Sequence, residues 1–160
     1  MAVDAPLILH RETVRPEWID YNGHMNVAYY VMIGDHATDK LFAHIGMDEA
    51  YVKRENKSSF AIDMRAVYLR ELLEGAPVVV KTQLVAHDAK RLHFLHSVEH
   101  ETEGFVACLN EFVGIHVDMT TRRSSPFPDA LRSRIEAIAT AHADLPVPDA
   151  ISRPIGLGRA

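Results

Sequence analysis

Trp18-Ile19-Asp20-Tyr21-Asn22-Gly23-His24-Met25-Asn26-Val27-Ala28-Tyr29-Tyr30 carries a polar turn directly into an apolar run with helical spacing. The Asn22-Gly23 pair favours positive backbone φ and reads as the turn. Asn26 stands where a side-chain oxygen can accept from the unpaired N–H groups of a first helical turn. From there Val27, Tyr30, Val31, Ala37, Leu41, Phe42 and Ile45 recur at steps of three and four, and Gly46 follows as a C-terminal cap. The spacing predicts one long central helix. On its N-terminal side, residues 7–15 read as a first strand ending at Pro16. On its C-terminal side, residues 47–57 read as short helix or irregular chain. Four strand-like stretches then follow, near 59–70, 77–88, 91–101 and 104–119. The connections Glu74-Gly75-Ala76-Pro77, Asp88-Ala89-Lys90 and Glu101-Thr102-Glu103-Gly104 are short enough for hairpins, which predicts an antiparallel sheet with sequential neighbours. A polar connection over 120–128 leads to Leu131, Ile135, Ile138 and His142 at helical spacing. Residues 143–160, with three prolines and two glycines and no periodicity, read as an extended tail.

The fold class is therefore α+β: a single domain over 1–142 plus the tail 143–160. A single long helix covers one face of such a sheet, and the other face calls for a cover of its own, a second copy being the economical one. The 160 residues are too few for two cores, and 48% hydrophobic with 24% charged residues excludes disorder and low-complexity architectures. A net charge of −5 argues against a nucleic-acid partner. Residues 1–10 lack a basic segment ahead of their short apolar run and do not read as a secretory signal, and no run approaches the ~20 apolar residues of a membrane span. One cysteine, Cys108, excludes an intramolecular disulfide and suits a reducing cytoplasm.

Asp20, Asn22, His24 and Asn26 place a carboxylate, an imidazole and two carboxamides within seven residues, just ahead of a helix N-terminus. There the unpaired N–H groups and the positive end of the helix dipole favour developing negative charge. A carbonyl oxygen aimed at that terminus would be polarised while Asp20 attacked the carbonyl carbon or deprotonated a water beside it. The same residues also serve as ordinary turn and cap formers. His24 either orients water or substrate, or packs beneath the loop and holds it. His93, His96 and His100 cannot converge on a metal, because on a strand His93 points away from the other two; no metal site is expected. Cys108 lies in an apolar run and reads as core. Arg70, Lys90, Arg91, Arg122 and Arg123 are candidates for phosphate contacts, and Trp18, Tyr21, Tyr29, Tyr30, Tyr51 and Tyr68 are aromatics that could line a pocket.

The run from Trp18 to Tyr30, with the order strand, long helix, four strands, resembles the hotdog-fold acyl-CoA thioesterases of the 4-hydroxybenzoyl-CoA thioesterase type. His116-Val117-Asp118-Met119-Thr120-Thr121-Arg122-Arg123 and Pro126-Phe127-Pro128 resemble the final strand and exit of the same superfamily. The resemblance spans roughly residues 7–138. It implies a hotdog fold, a long central helix wrapped by a five-stranded antiparallel sheet, with a C-terminal helix and tail. It further implies catalysis by Asp20, with His24 and the backbone N–H near Val27 at the reacting carbonyl. Trp18, Tyr21, Asn22, Asn26, Tyr30 and Arg123 are then the expected substrate-binding residues, and no cofactor is required. Trp18 stands where many relatives carry an acidic residue, two positions before the catalytic aspartate. The whole run from Trp18 through Asp63-Met64-Arg65 to Arg123 most resembles the betainyl-CoA thioesterases of carnitine breakdown, which implies hydrolysis of betainyl-CoA to glycine betaine and coenzyme A. The competing expectations are a thioesterase for another short aliphatic or aromatic acyl-CoA and a non-catalytic acyl-CoA-binding module. A homodimer or homotetramer, joined sheet edge to sheet edge, is the expected assembly.

Overall fold

The structure, a computed structural model, describes residues 3–157. Its elements are β1 (Leu7–Thr13), α1 (Val27–Ile45), α2 (Glu49–Glu55), β2 (Lys57–Tyr68), β3 (Pro77–His87), β4 (Arg91–His100), β5 (Val106–Asp118), β6 (Arg123–Ser124) and α3 (Asp129–His142). The central helix begins and ends where its spacing places it. Asn26 accepts the Ala28 N–H, and Gly46 closes the helix at φ 90°, a conformation that costs glycine little.

The sheet is antiparallel in the order β1-β3-β4-β5-β2, with β6 pairing β5. Sequential neighbours hold for β3-β4-β5 and fail for β2, which lies beyond β5 rather than beside β3. The segment around Glu74–Pro77 is thus no hairpin but the end of a crossover. Leu69 and Arg70 donate their N–H groups to the Ala107 carbonyl, and buried Leu72 accepts from Met25, so the link passes across the N-terminal end of α1 to reach β3. Apolar anchoring of Leu72 overrides what a short Gly-Ala-Pro turn suggests locally. The five expected strands gain a two-residue sixth, because the polar connection after β5 folds back on Val117 and Asp118.

Tyr30, Ile33, Gly34, Ala37, Leu41 and Ile45 form the buried stripe of α1 against the concave sheet face. Helix and sheet meet closely at Gly34, where a Cβ would fall 2.5 Å from Nδ2 of Asn110 on β5. That amide is itself fully buried and donates to the Tyr30 carbonyl at 2.7 Å. Toward the other end of the helix, Phe94 and Phe112 stack at 5.4 Å, and Leu131, Ile135 and Ile138 of α3 close the same cluster. His142 ends α3 as a fastener: its Nδ1 accepts from the Leu84 N–H, and its Nε2 meets the Asp4 carbonyl.

The tail has no helix or strand among its described residues, yet it does not extend freely. Ile151 is buried on Leu95 and Leu109, and Ser152 donates to the Glu111 carboxylate. Part of the outer sheet face is therefore covered by the chain itself, where a second copy was the expected cover. No helix is long and apolar enough to cross a membrane among the described residues.

Candidate active site

The loop ahead of α1 is held at both ends by backbone bonds. Ile19 and Met25 form an isolated antiparallel bridge, Asp20 donates to the His24 carbonyl, and Gly23, at φ 82°, donates to the Asp20 carbonyl. Met25 is completely buried and anchors the loop to Leu72, while Asn26 donates its N–H to the Trp18 carbonyl. The carboxylate that results is fixed. Its Oδ1 accepts from the Asn22 N–H at 2.8 Å and its Oδ2 from Nδ2 of Asn26 at 3.1 Å. The Asn22 N–H, then the Asn26 amide and the nearby His24, hold Asp20 below the usual carboxylate range, against the opposing effect of partial desolvation.

Asn26 serves both halves of the site, since its Oδ1 caps the helix at Ala28 while its Nδ2 orients Asp20. The first N–H groups of a helix have no full intrahelical complement of acceptors, and with Ala28 satisfied by the Asn26 side chain and Tyr29 by the Asn26 carbonyl, the N–H of Val27 has no acceptor among the described residues and is free for a ligand. His24 is half-buried, with Nδ1 against the Met25 carbonyl at 3.2 Å. It thus braces the loop and also faces the groove beside it, which is lined by His24, Met25, Val27, Tyr30, Tyr68, Leu69, Arg70 and Glu71. That groove holds about 250 Å³.

Asp20, Asn26, His24, Val27 and Tyr30 come together around the helix start. Asn22 contributes its backbone N–H, and its side chain is exposed. Trp18 is 3% exposed and stacked on Tyr29, with the Arg15 guanidinium over its ring, so it supports the loop from below and does not line the groove. Tyr21 is at the opposite extreme, 98% exposed. Tyr51 lies in α2, bonded to His116. The six aromatics therefore form no single cage; Tyr30 and Tyr68, edge to face at 5.5 Å, are the two in the groove wall. Tyr68 also donates to the Val27 carbonyl. Arg123 pairs with Asp118, whereas the groove lies by Tyr68, opposite Cys108. Ten strand residues, ~33 Å, separate the two ends, so one chain does not bring Arg123 to the site. Asp63 shares a β2 face with Arg65, in a cleft with Glu111 and Ser152 on the outer side of the sheet, away from the groove.

Leu69 and Glu71 escaped the sequence reading, and Arg70 entered it only as a candidate phosphate contact, because only the crossover after β2 carries them past the helix start. The histidines behave as strand alternation requires. His93 bonds Glu111 on the outer face, while fully buried His96 sits between Thr38 and Thr82 beneath α1. Cys108 is core, and burial pushes its thiol up to about 12.

Residues 14–135 match the thioesterase-like superfamily. The chain belongs to that family. Over 151 residues the thioesterase is 42% identical to the betainyl-CoA thioesterase of Pseudomonas aeruginosa, covering 94% of this chain and 95% of the relative. It is 34% identical to an L-carnitine dehydrogenase/betainyl-CoA thioesterase of Agrobacterium fabrum, matching 91% of this chain but 30% of that longer protein. Among solved structures, a candidate thioesterase from Pseudomonas putida superposes with a TM-score of 0.83 at 32% identity, covering 98% of this chain and all of that one. A Staphylococcus aureus protein in complex with CoA superposes at 0.89 with 24% identity, 99% of this chain and all of that one, a likeness of fold. The enzyme is a thioester hydrolase of the hotdog fold.

Proposed function

We propose that this thioesterase hydrolyses betainyl-CoA to glycine betaine and coenzyme A through Asp20. The observation that carries the substrate assignment is the near full-length match to a betainyl-CoA thioesterase. The groove is compatible with it. Tyr30 and Tyr68 offer aromatic surface, and Glu71, exposed and without an ion-pair partner among the described residues, offers a carboxylate to a trimethylammonium group.

In the proposed reaction the thioester oxygen takes the Val27 N–H at the positive end of α1, which stabilises the oxyanion of the tetrahedral intermediate. A carboxylate held below its ordinary pKa is a weak proton acceptor but stays ionised, which favours direct attack. Asp20 adds to the carbonyl carbon, the C–S bond breaks, and the CoA thiolate leaves and is protonated by solvent. Water then cleaves the acyl–Asp20 anhydride, releasing betaine and regenerating the carboxylate. Asn26 and the Asn22 N–H hold the attacking group throughout.

The assembly we propose is a homodimer paired through β2, or a tetramer of such dimers. β2 is a twelve-residue edge strand with Phe60, Ile62 and Tyr68 exposed, a template for strand pairing. Antiparallel pairing of two β2 strands sets the Lys57 end of one copy beside the Tyr68 end of the other. A second copy's Arg122 and Arg123 are thereby carried toward the first copy's groove, where CoA phosphates need cations. Light scattering should show no monomer at micromolar concentration; a stable monomer contradicts this assembly. The buried thiol of Cys108 suits the reducing cytoplasm, where we place the enzyme.

The substrate test compares kcat/KM for betainyl-CoA and 3,3-dimethylbutyryl-CoA, which differ by nitrogen against carbon at nearly equal shape. Charge recognition by aromatic rings and a carboxylate predicts ~5- to 150-fold in favour of betainyl-CoA. Equal values, or preference for the neutral ester, overturn the betaine assignment and leave the thioesterase chemistry standing.

A further inference from the structure

Where β1 runs beside α1, three donor groups from two elements converge. Nε2 of His10 lies 3.0 Å from Oε2 of Glu12, and Nδ1 of His36 lies 3.1 Å from the same oxygen. All three donor atoms fall within 4.8 Å of one another. We propose that His10, Glu12 and His36 form a binding site for a divalent transition metal of the zinc class, which clamps the edge strand to the central helix.

Two imidazoles and a carboxylate are a donor set that zinc uses when three protein ligands leave a fourth position to water. At Zn–N and Zn–O distances near 2.0–2.1 Å, tetrahedral ligands stand ~3.3 Å apart, so the separations from Glu12 to each histidine need to open only slightly. His10 and Glu12, two apart on a strand, point to the same side by alternation. The site is sheltered yet reachable, with side-chain exposures of 13% for His10, 10% for Glu12 and 40% for His36. An outer partner is in place: Arg15 donates to Oε1 of Glu12 at 3.2 Å, which fixes the carboxylate and leaves Oε2 toward the histidines. The rings of His10 and His36 are nearly perpendicular, with centroids 5.7 Å apart, so neither blocks the other's approach to a shared ion.

This site is separate from the groove. His36 lies nine residues along α1 from Val27, ~14 Å of helix rise. A bound ion there joins β1 to α1 and stabilises the fold by mass action, without touching the reacting thioester.

The test uses the full chain without a histidine tag, stripped of metal and titrated with Zn²⁺ at pH 7.5 by calorimetry and thermal melting, with Co²⁺ as a spectroscopic probe. Wild-type protein should bind one equivalent, gain ~5–10 °C in Tm at a hundred-fold excess over Kd, and give the visible absorption of four-coordinate cobalt. His36→Gln, at a partly exposed position of α1, should weaken Zn²⁺ binding at least tenfold and abolish the Tm gain. His10→Gln should do the same, while His93→Gln, beside Glu111 on the outer face, should leave both intact. Absence of stoichiometric binding in the wild type overturns the proposal. So does binding that survives His10→Gln and His36→Gln together.

Discussion

Gly34→Ala should loosen the junction that holds the central helix to the sheet. In the present structure the added methyl would sit 2.5 Å from Nδ2 of Asn110, 3.1 Å from its Cγ and 3.3 Å from its Cβ. Three atoms of one side chain at those distances cannot all be cleared by a small torsion, so Asn110 must swing and surrender its 2.7 Å bond to the Tyr30 carbonyl. Leaving that fully buried amide unsatisfied costs ~1–3 kcal/mol, and overpacking adds ~1–3 kcal/mol. Alanine in place of glycine within a helix returns ~1 kcal/mol. The net loss is ~1–5 kcal/mol, which for a chain of this length lowers Tm by ~3–15 °C. The assay is a set of thermal melts on wild type, Gly34→Ala, Asn110→Ala and the double variant. Because the clash and the lost bond share one partner, the double variant should lose less than the sum of the two single losses. An unchanged or higher Tm for Gly34→Ala, or additive losses in the double variant, would refute the reasoning.

Asn26→Asp keeps an oxygen to cap Ala28 but replaces the donor to Asp20 with a second carboxylate; Tm should hardly move, because Asn and Asp cap about equally well. In the proposed mechanism the ionised form of Asp20 is the reactive one and a like charge raises its pKa, so the acid limb of the kcat profile should move to higher pH, while loss of the Asn26 donor that orients the carboxylate should lower kcat ~10-fold or more at neutrality. A pH profile identical to wild type would contradict the role given to Asn26. Burial pushes His96 down to about 3, below its ordinary 6.5, so its neutral form stabilises the fold above pH 6.5, and that contribution is lost as pH falls from 6.5 toward 3. Chemical denaturation should show stability declining by up to ~1.4 kcal/mol per pH unit in that window, with a shallower slope for His96→Gln; equal slopes would exclude His96 as the source.

How far the sequence could be read depended on whether a feature was local. The central helix was legible because its stripe, its Asn26 cap and its Gly46 terminator agree over one continuous run. The Asp20 constellation was legible for the same reason, as the loop and cap are contiguous. The β2–β5 pairing was not, since strand order depends on what the crossover packs against, and Leu72 burying beneath Met25 leaves no periodic trace. Leu69 and Glu71 follow from that crossover and were hidden with it, whereas Tyr68 and Arg70 were legible as a pocket aromatic and a phosphate-contact candidate but not as neighbours on one groove wall. Trp18 misled as a substrate contact because an aromatic beside a polar loop reads the same whether it faces a groove or, as here, the core. The His10, Glu12 and His36 cluster joins residues of β1 to one on α1, and no short motif announces it.

The most direct test of catalysis by Asp20 is the turnover of betainyl-CoA by Asp20→Asn, measured as release of free coenzyme A alongside the dissociation constant of a non-hydrolysable analogue. The asparagine retains the shape and an oxygen for the Asn22 N–H but has no charge with which to attack. The account predicts unchanged folding, analogue binding within a few-fold of wild type, and kcat reduced by ~100-fold or more. Near-normal turnover by a well-folded Asp20→Asn enzyme would contradict it.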